Sequence, residues 1–220
     1  MQFDFGFLVT MMPALAEAVV ANATIAAIAL ALSLLIGMAL TIVRTKKIRP
    51  VNAVIDLVIS FVRGTPLMVQ VLLAYYTLPL STLSSGPMIA GTIALAINSS
   101  IYVTEALRAG LQAVDPGQVE AGTALGLKRG TIWRKVLIPQ LLYNSVPVIT
   151  NEATFVVKGT ALLSVITVVE VMRTSQQIGS ANYQPFEAVV GAAFCFFVMN
   201  TLVIAIGNLA ERHLRRRDER

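Results

Sequence analysis

A glutamate, an asparagine and a lysine stand where apolar side chains would be expected. Glu152, Asn98 and Lys158 all fall inside long hydrophobic stretches of a 220-residue chain. An ionisable group at membrane depth is expensive, and it is a functional candidate by default. Glu152 has no basic residue three or four positions further on. A carboxylate desolvated without a counter-charge is either neutralised or meets a cation. The chemistry on offer is therefore non-covalent: recognition of a charged small molecule, or a buried ion pair with Lys158 or Arg63. Phe155 and Gly159 share the face of Glu152. Asn98, Tyr102 and Glu105 follow i, i+4, i+7 spacing and share another. Asn98 reads as a contact to such a molecule or as a hydrogen bond to a neighbouring helix. Glu105 is spaced to pair with Arg108 at i, i+3. Bond-breaking chemistry has little to work with. Cys195 is the one cysteine, in an apolar stretch, so it forms neither an internal disulfide nor a metal site. His213 is the one histidine and reads as solvated in a basic tail. No Gly-x-x-x-x-Gly-Lys-Ser/Thr occurs, so no P-loop cradles phosphates.

Those residues need long apolar helices to hold them. The chain is 56% hydrophobic and 13% charged, with a mean hydropathy of +0.74; a soluble domain carries about 25% charged residues. A spanning helix needs about 20 mostly apolar residues. Five stretches qualify: 15–43, 54–80, 88–112, 136–171 and 187–210. The second is interrupted at Arg63-Gly64-Thr65-Pro66, where proline removes a backbone donor. Irregular backbone at membrane depth must face protein or a water-filled cavity, so this break should face inward. There Arg63 either neutralises an acid or holds freed carbonyls, and Thr65 and Gln70 can add hydrogen bonds. The fourth stretch should break near Pro147 and again at Lys158-Gly159-Thr160. Tyr75 and Tyr76 suit an interfacial aromatic belt. The reading is a single domain, 1–220, without an internal repeat or low-complexity linker.

Thirteen of the 17 basic residues fall in three clusters. They are Arg44, Lys46, Lys47 and Arg49; Lys128, Arg129, Arg134 and Lys135; and Arg212, Arg215, Arg216, Arg217 and Arg220. The two connections on the opposite side, near 81–87 and 172–186, hold only Arg173. The positive-inside bias places all three clusters in the cytoplasm, with the amino terminus outside and the carboxyl terminus cytoplasmic. The net charge of +5 thus belongs to a membrane, not to nucleic acid. Met1 to Gly6 lacks a basic n-region and carries Asp4, which argues against a cleaved signal peptide.

One polar island interrupts this chain, at 114–135. Asp115-Pro116-Gly117 is a turn sequence. Glu120, Ala121, Ala124 and Leu125 suit a short helix that Gly126 closes. Thr131 to Val136 suit a second, capped by Thr131 or Gly130. The segment reads either as a surface loop or as a helix that docks into a groove of a partner.

The spacing Glu120-Ala121-Gly122, three residues, Gly126, nine residues, Val136, one residue, Ile138-Pro139 resembles the Glu-Ala-Ala loop of ABC importer permeases. Gly122 replaces the second Ala of that pattern, Val136 an Ile and Ile138 a Leu. Phe61-Val62-Arg63-Gly64-Thr65-Pro66-Leu67, Gln70, Tyr75-Tyr76, Glu105-Ala106-Leu107-Arg108-Ala109-Gly110, Pro116-Gly117-Gln118 and Lys158-Gly159-Thr160-Ala161-Leu162 look like the polar amino acid branch. Gly159 stands where that branch often has Asp. The resemblance implies an all-α membrane protein with the five-helix core of a type I ABC importer permease, in the cell inner membrane. It implies a coupling loop in which Glu120, Ala121, Gly126 and Pro139 meet an ATPase. It implies two ATP-binding subunits that bind ATP and Mg, a second permease subunit (identical or related) and an extracytoplasmic amino-acid-binding protein. Asn98, Glu152, Gly159, Gln70 and Leu67 become the expected contacts to an amino acid. This chain itself would need no cofactor or metal and carry no catalytic residue. An ion-coupled secondary transporter is the competing reading, although such proteins commonly carry inverted repeats.

Overall fold

The computed structural model describes residues 3–46, 48–78 and 86–218, with side chains to residue 214. Lys47, Arg220, the chain's first two residues and positions 81–85 of the connection expected at 81–87 lie outside the described residues. Every element among the described residues is helical. Helix α1 spans Phe5–Thr45, α2 Arg49–Gly64, α3 Leu67–Thr77 and α4 Gly86–Gln112. Then follow α5 (Pro116–Ala124), α6 (Arg129–Ile132), a π-helical turn Trp133–Leu137 and α7 (Ile138–Gly159). A 3₁₀ segment Thr160–Ile166, α8 (Val171–Ala181) and α9 (Pro185–Asp218) complete the chain.

Three of these helices, α1, α4 and α9, are long and apolar enough to cross a membrane alone. Two further spans result if each bent pair is counted once: α2 with α3, bent by 111°, and the 129–166 stretch with α8, bent by 50°. The first bend sits at Thr65-Pro66, at the expected break. On α2, Ile55, Ile59 and Val62 recur at helical spacing and bury against Ile101, Leu40 and Val43.

Two expectations need correction. Helix α7 runs through Pro147 without a break. One missing donor is tolerated where neighbouring helices hold the flanking turn. Here Asn144 Nδ2 donates to the Gly110 carbonyl (3.3 Å) and Ser145 Oγ to that of Ala106 (3.3 Å), pinning α7 to α4. The second loop helix starts at Arg129, not at Thr131, and continues through the π turn into α7. Pro139 follows that turn; lacking an N–H, it disrupts the i→i−4 ladder there, and a π turn is a common accommodation. The other expected break is present: after Gly159 the chain tightens into the 3₁₀ segment and ends it at Thr167 in the left-handed region (φ 67°).

The bundle fits together because small residues let backbones approach. A Cβ on Gly37 of α1 would lie 2.9 Å from the Cβ of Val103 and 3.1 Å from the Ser100 carbonyl oxygen of α4. The second of these is backbone and cannot rotate away. Overpacking of this kind destabilises by about 1–3 kcal/mol. Gly37→Val is therefore expected to lower the unfolding temperature of the purified protein in detergent, and an unchanged transition would disprove the close crossing.

Helices α1, α4 and α9 run in one direction and α7 runs against them. Arg44 near the end of α1 meets Glu105 near the end of α4 (3.4 Å), and the Asp4 amide at the start of α1 meets Glu187 at the start of α9 (3.3 Å). Arg44, the α5–α6 loop and Arg212 therefore lie at one end of the bundle, as the clustering of basic residues requires.

Candidate functional site

The break between α2 and α3 is stitched by one side chain. Gln70 Nε2 donates to the carbonyl of Val62 (2.8 Å), the carbonyl of Thr65 (3.0 Å) and Thr65 Oγ1 (3.0 Å). These include acceptors that the broken helix leaves without partners. Its Oε1 accepts from Asn98 Nδ2 on α4 (2.9 Å). Asn98 thus makes the interhelical hydrogen bond foreseen as one of its two roles. Removing Gln70 would orphan groups in an apolar setting, at about 1–3 kcal/mol per unsatisfied group. Gln70→Leu is expected to lower thermal stability accordingly and to disturb the adjacent cleft. A variant as stable as the unmodified protein would rule this stitch out.

Asn98 also lines a cleft of about 300 Å³ beside the break. Its walls include Thr65, Leu67, Leu95, Tyr102, Glu152 and Phe155. The cleft joins four elements: the break, α3, α4 and α7. Glu152 is partly buried there and forms no ion pair among the described residues. Ser99 Oγ lies beside its carboxyl group, buried, without a partner in full hydrogen-bond geometry. Lys158 does not pair with Glu152; its Nζ sits 4.7 Å over the ring of Phe155, itself a wall of the cleft. Arg63 is exposed and forms no ion pair among the described residues. The cleft mouth is open: Tyr102 and Phe155 remain 40% and 59% exposed.

Of the five expected contacts, Asn98, Glu152 and Leu67 line this cleft together. Gln70 stands behind Asn98 as its acceptor. Gly159 is buried at a helix crossing, where a Cβ would lie 2.9 Å from Leu95 Cδ2 and 3.3 Å from Leu67 Cδ2. It backs two cleft walls without lining the space. Glu105 stays outside the cleft, held by Arg108 (2.7 Å) and Arg44 (3.4 Å), while Arg44 also meets Asp56 (2.9 Å). Ser99 was missed by sequence reasoning. Its signal was a run of three polar residues, Asn98-Ser99-Ser100, inside an apolar span.

At the end of the bundle that carries the basic clusters, the loop 114–135 is a built structure. The Asp115 carboxylate caps α5 by accepting from the Gly117 amide (2.8 Å). Gly126 (φ 72°) turns the chain out of the helix, and the Leu127 amide closes back on the Gly122 carbonyl (3.1 Å). Val114, Ile132 and Leu137 form a small apolar core beneath it. Gly122 packs on Ile132, where a Cβ would sit 3.2 Å away. The opposite face is bare: Glu120, Ala121 and Gly126 are exposed, and Leu125 is 79% exposed. Pro139 lies in the first turn of α7.

Comparison with known proteins gives this geometry a context. Residues 33–216 match the family described as binding-protein-dependent transport system inner membrane component. The chain is 33% identical to the arginine transport system permease protein ArtQ of Bacillus subtilis (strain 168), over 99% of this chain and 100% of that one. It is 32% identical to the putative glutamine transport system permease protein GlnP of Rickettsia bellii, over 85% and 86% of the two chains. It is equally similar, at 32%, to the nopaline transport system permease protein NocM of Agrobacterium fabrum, over 97% and 95%. A crystal structure of an amino acid ABC transporter with histidines superposes with a TM-score of 0.87 at 36% identity, covering 97% of this chain and 100% of that one. The inward-facing MetNI methionine ABC transporter shares the fold, with a TM-score of 0.76 at 18% identity over 93% and 98% of the chains.

Proposed function

We propose, from the premise that this chain belongs to the family of binding-protein-dependent transport system inner membrane components and is a multi-pass permease subunit of an ABC amino acid importer, that its cleft admits a zwitterionic polar amino acid. The observation that carries this reading is Glu152, a partly buried carboxylate with no ion-pair partner among the described residues, facing an open cavity. The α-ammonium of an amino acid supplies that partner. Lys158, stacked on the cleft residue Phe155, offers the complementary charge to the α-carboxylate, and Asn98 and Ser99 add hydrogen bonds. Gly159 contributes no second carboxylate, so Glu152 is the one carboxylate in the cleft wall among the described residues. The relatives named above for arginine, glutamine and nopaline support polar amino acids as the class.

The open mouth beside Tyr102 and Phe155 is covered by a second permease subunit, which completes the path. The loop 114–135 receives an ATP-binding subunit, one per permease, and ATP and Mg are bound there and not in this chain. The bundle end with the basic clusters is cytoplasmic, the amino terminus is outside, and an extracytoplasmic binding protein delivers the amino acid. An ion-coupled carrier is not favoured, because the family's members work with a separate ATPase.

A thermal-shift screen of the assembled complex tests the reading. Polar α-amino acids should stabilise it, increasingly with the logarithm of concentration above Kd, whereas analogues lacking the α-amino group should not. Equal stabilisation by deaminated analogues would overturn the role of Glu152. In vesicles, uptake should require ATP and persist when ion gradients are collapsed; uptake that tracks a proton or sodium gradient would overturn the ABC mechanism.

A further inference from the structure

Three fully buried polar side chains meet at the end of α7 opposite the loop. Asn22 of α1, Thr160 at the start of the 3₁₀ segment and Glu170 before α8 all have zero exposure. Asn22 Nδ2 donates to Thr160 Oγ1 (2.7 Å) and to Glu170 Oε2 (2.9 Å), and its Oδ1 accepts from the Val171 amide (3.0 Å). Glu170 also accepts from the amides of Met172 (2.9 Å) and Arg173 (2.8 Å), capping α8. One asparagine on α1 therefore grips both ends of the stretch from Thr160 to Val171.

That stretch departs from regular α-helix from Thr160 to Glu170. Thr160–Ile166 is 3₁₀ helix, whose hydrogen bonds are poorer than those of an α-helix, and 167–170 is irregular. The 3₁₀ helix ends at Thr167 with φ 67°, a conformation that is a true outlier for a β-branched residue. Strain of this kind persists only where surroundings over-determine it. Its first residue follows Gly159, which touches Leu95 and Leu67, two walls of the cleft.

We infer that Asn22 and Glu170 are positioning residues: they latch the strained 160–170 stretch onto α1 and so hold the cleft walls at Leu67 and Leu95 in their binding arrangement. The inference rests on the amino acid reading of the cleft. Releasing the latch lets the stretch relax, lowers the fraction of molecules with a formed cleft and weakens apparent substrate affinity by that fraction.

Asn22→Asp sets a second carboxylate against Glu170. In the assembled complex it should speed hydrogen exchange of peptides covering 160–171 by about tenfold or more, the effect of losing one hydrogen bond to a charged group. The KM for ATP-driven uptake should rise about as much, with the maximal rate less affected. Adding Glu170→Gln returns a donor to face Asp at position 22, and the double variant should recover part of both losses. Thr160→Val removes the bond that Thr160 Oγ1 accepts from Asn22 (2.7 Å) and the local one that it donates to the Val157 carbonyl (2.7 Å), with little change of shape. It should move exchange and KM the same way by less, and it decides the matter if the Asp variant does not assemble. Unchanged exchange and KM in Thr160→Val, or a double variant no better than Asn22→Asp alone, overturns the latch. Exchange needs no substrate, so it judges the latch even where Glu152→Gln leaves uptake unaltered and the cleft reading falls.

Discussion

Glu152→Gln is expected to raise the KM for amino acid uptake by roughly 30-fold or more while leaving the protein at least as stable as before. The magnitude is that of removing one partner of a desolvated charge pair, about 2–5 kcal/mol. The neutral effect on stability has its own cause. Glu152 makes no ion pair with its own chain among the described residues. A partly buried carboxylate left alone is a liability, and an amide of the same shape relieves the desolvation. A structural residue would lose stability and transport together; a substrate contact loses transport alone. Thermal unfolding and uptake kinetics on the same preparation separate the two. Unchanged uptake from a well-assembled Glu152→Gln complex would sink the assignment.

Glu120→Lys is expected to abolish most ATP-driven uptake without unfolding the permease. Glu120 is exposed on α5, and among the described residues it forms no ion pair. Surface substitutions of that kind stay within about ±0.5 kcal/mol of the parent stability. The loop beneath it holds its shape through Val114, Ile132 and Leu137, which the substitution does not touch. What changes is the bare α5 surface beside Leu125, the face proposed to receive the ATP-binding subunit. A reversed charge at the centre of a contact behaves like a lost hot spot, about 2 kcal/mol or more, which weakens docking roughly 30-fold. Co-purification with the ATP-binding subunit and uptake should fall together, while the melting temperature of the permease stays put. Normal co-purification with normal uptake would remove Glu120 from the coupling face.

Much of this could be read along the chain. Helices α1, α4 and α9 are long apolar runs that need no partner to be recognised, and Pro66 marked the bend between α2 and α3. The loop showed itself as a polar island with fixed spacing from Glu120 to Pro139. Pro147 misled, because a proline's effect depends on the helices around it, and here Asn144 and Ser145 tie α7 to α4. The second loop helix starts two residues before Thr131; its N-cap, Lys128, makes no side-chain capping bond and so leaves no local signal of the start.

Composition and order along the chain determined which residues must be buried in a membrane, which end of each span carries charge, and which carboxylate lacked a partner at helical spacing. Those properties are local, and period and polarity report them directly. Only the tertiary structure decided that Asn98 bonds Gln70 across the break, that Glu105 belongs to Arg44 and Arg108 and not to the cleft, and that Gly159 serves the packing of Leu67 and Leu95. It alone joined Asn22 to Glu170, 148 positions apart. A buried polar group must find a partner, but the requirement is satisfied in space, and one-dimensional order does not say by whom.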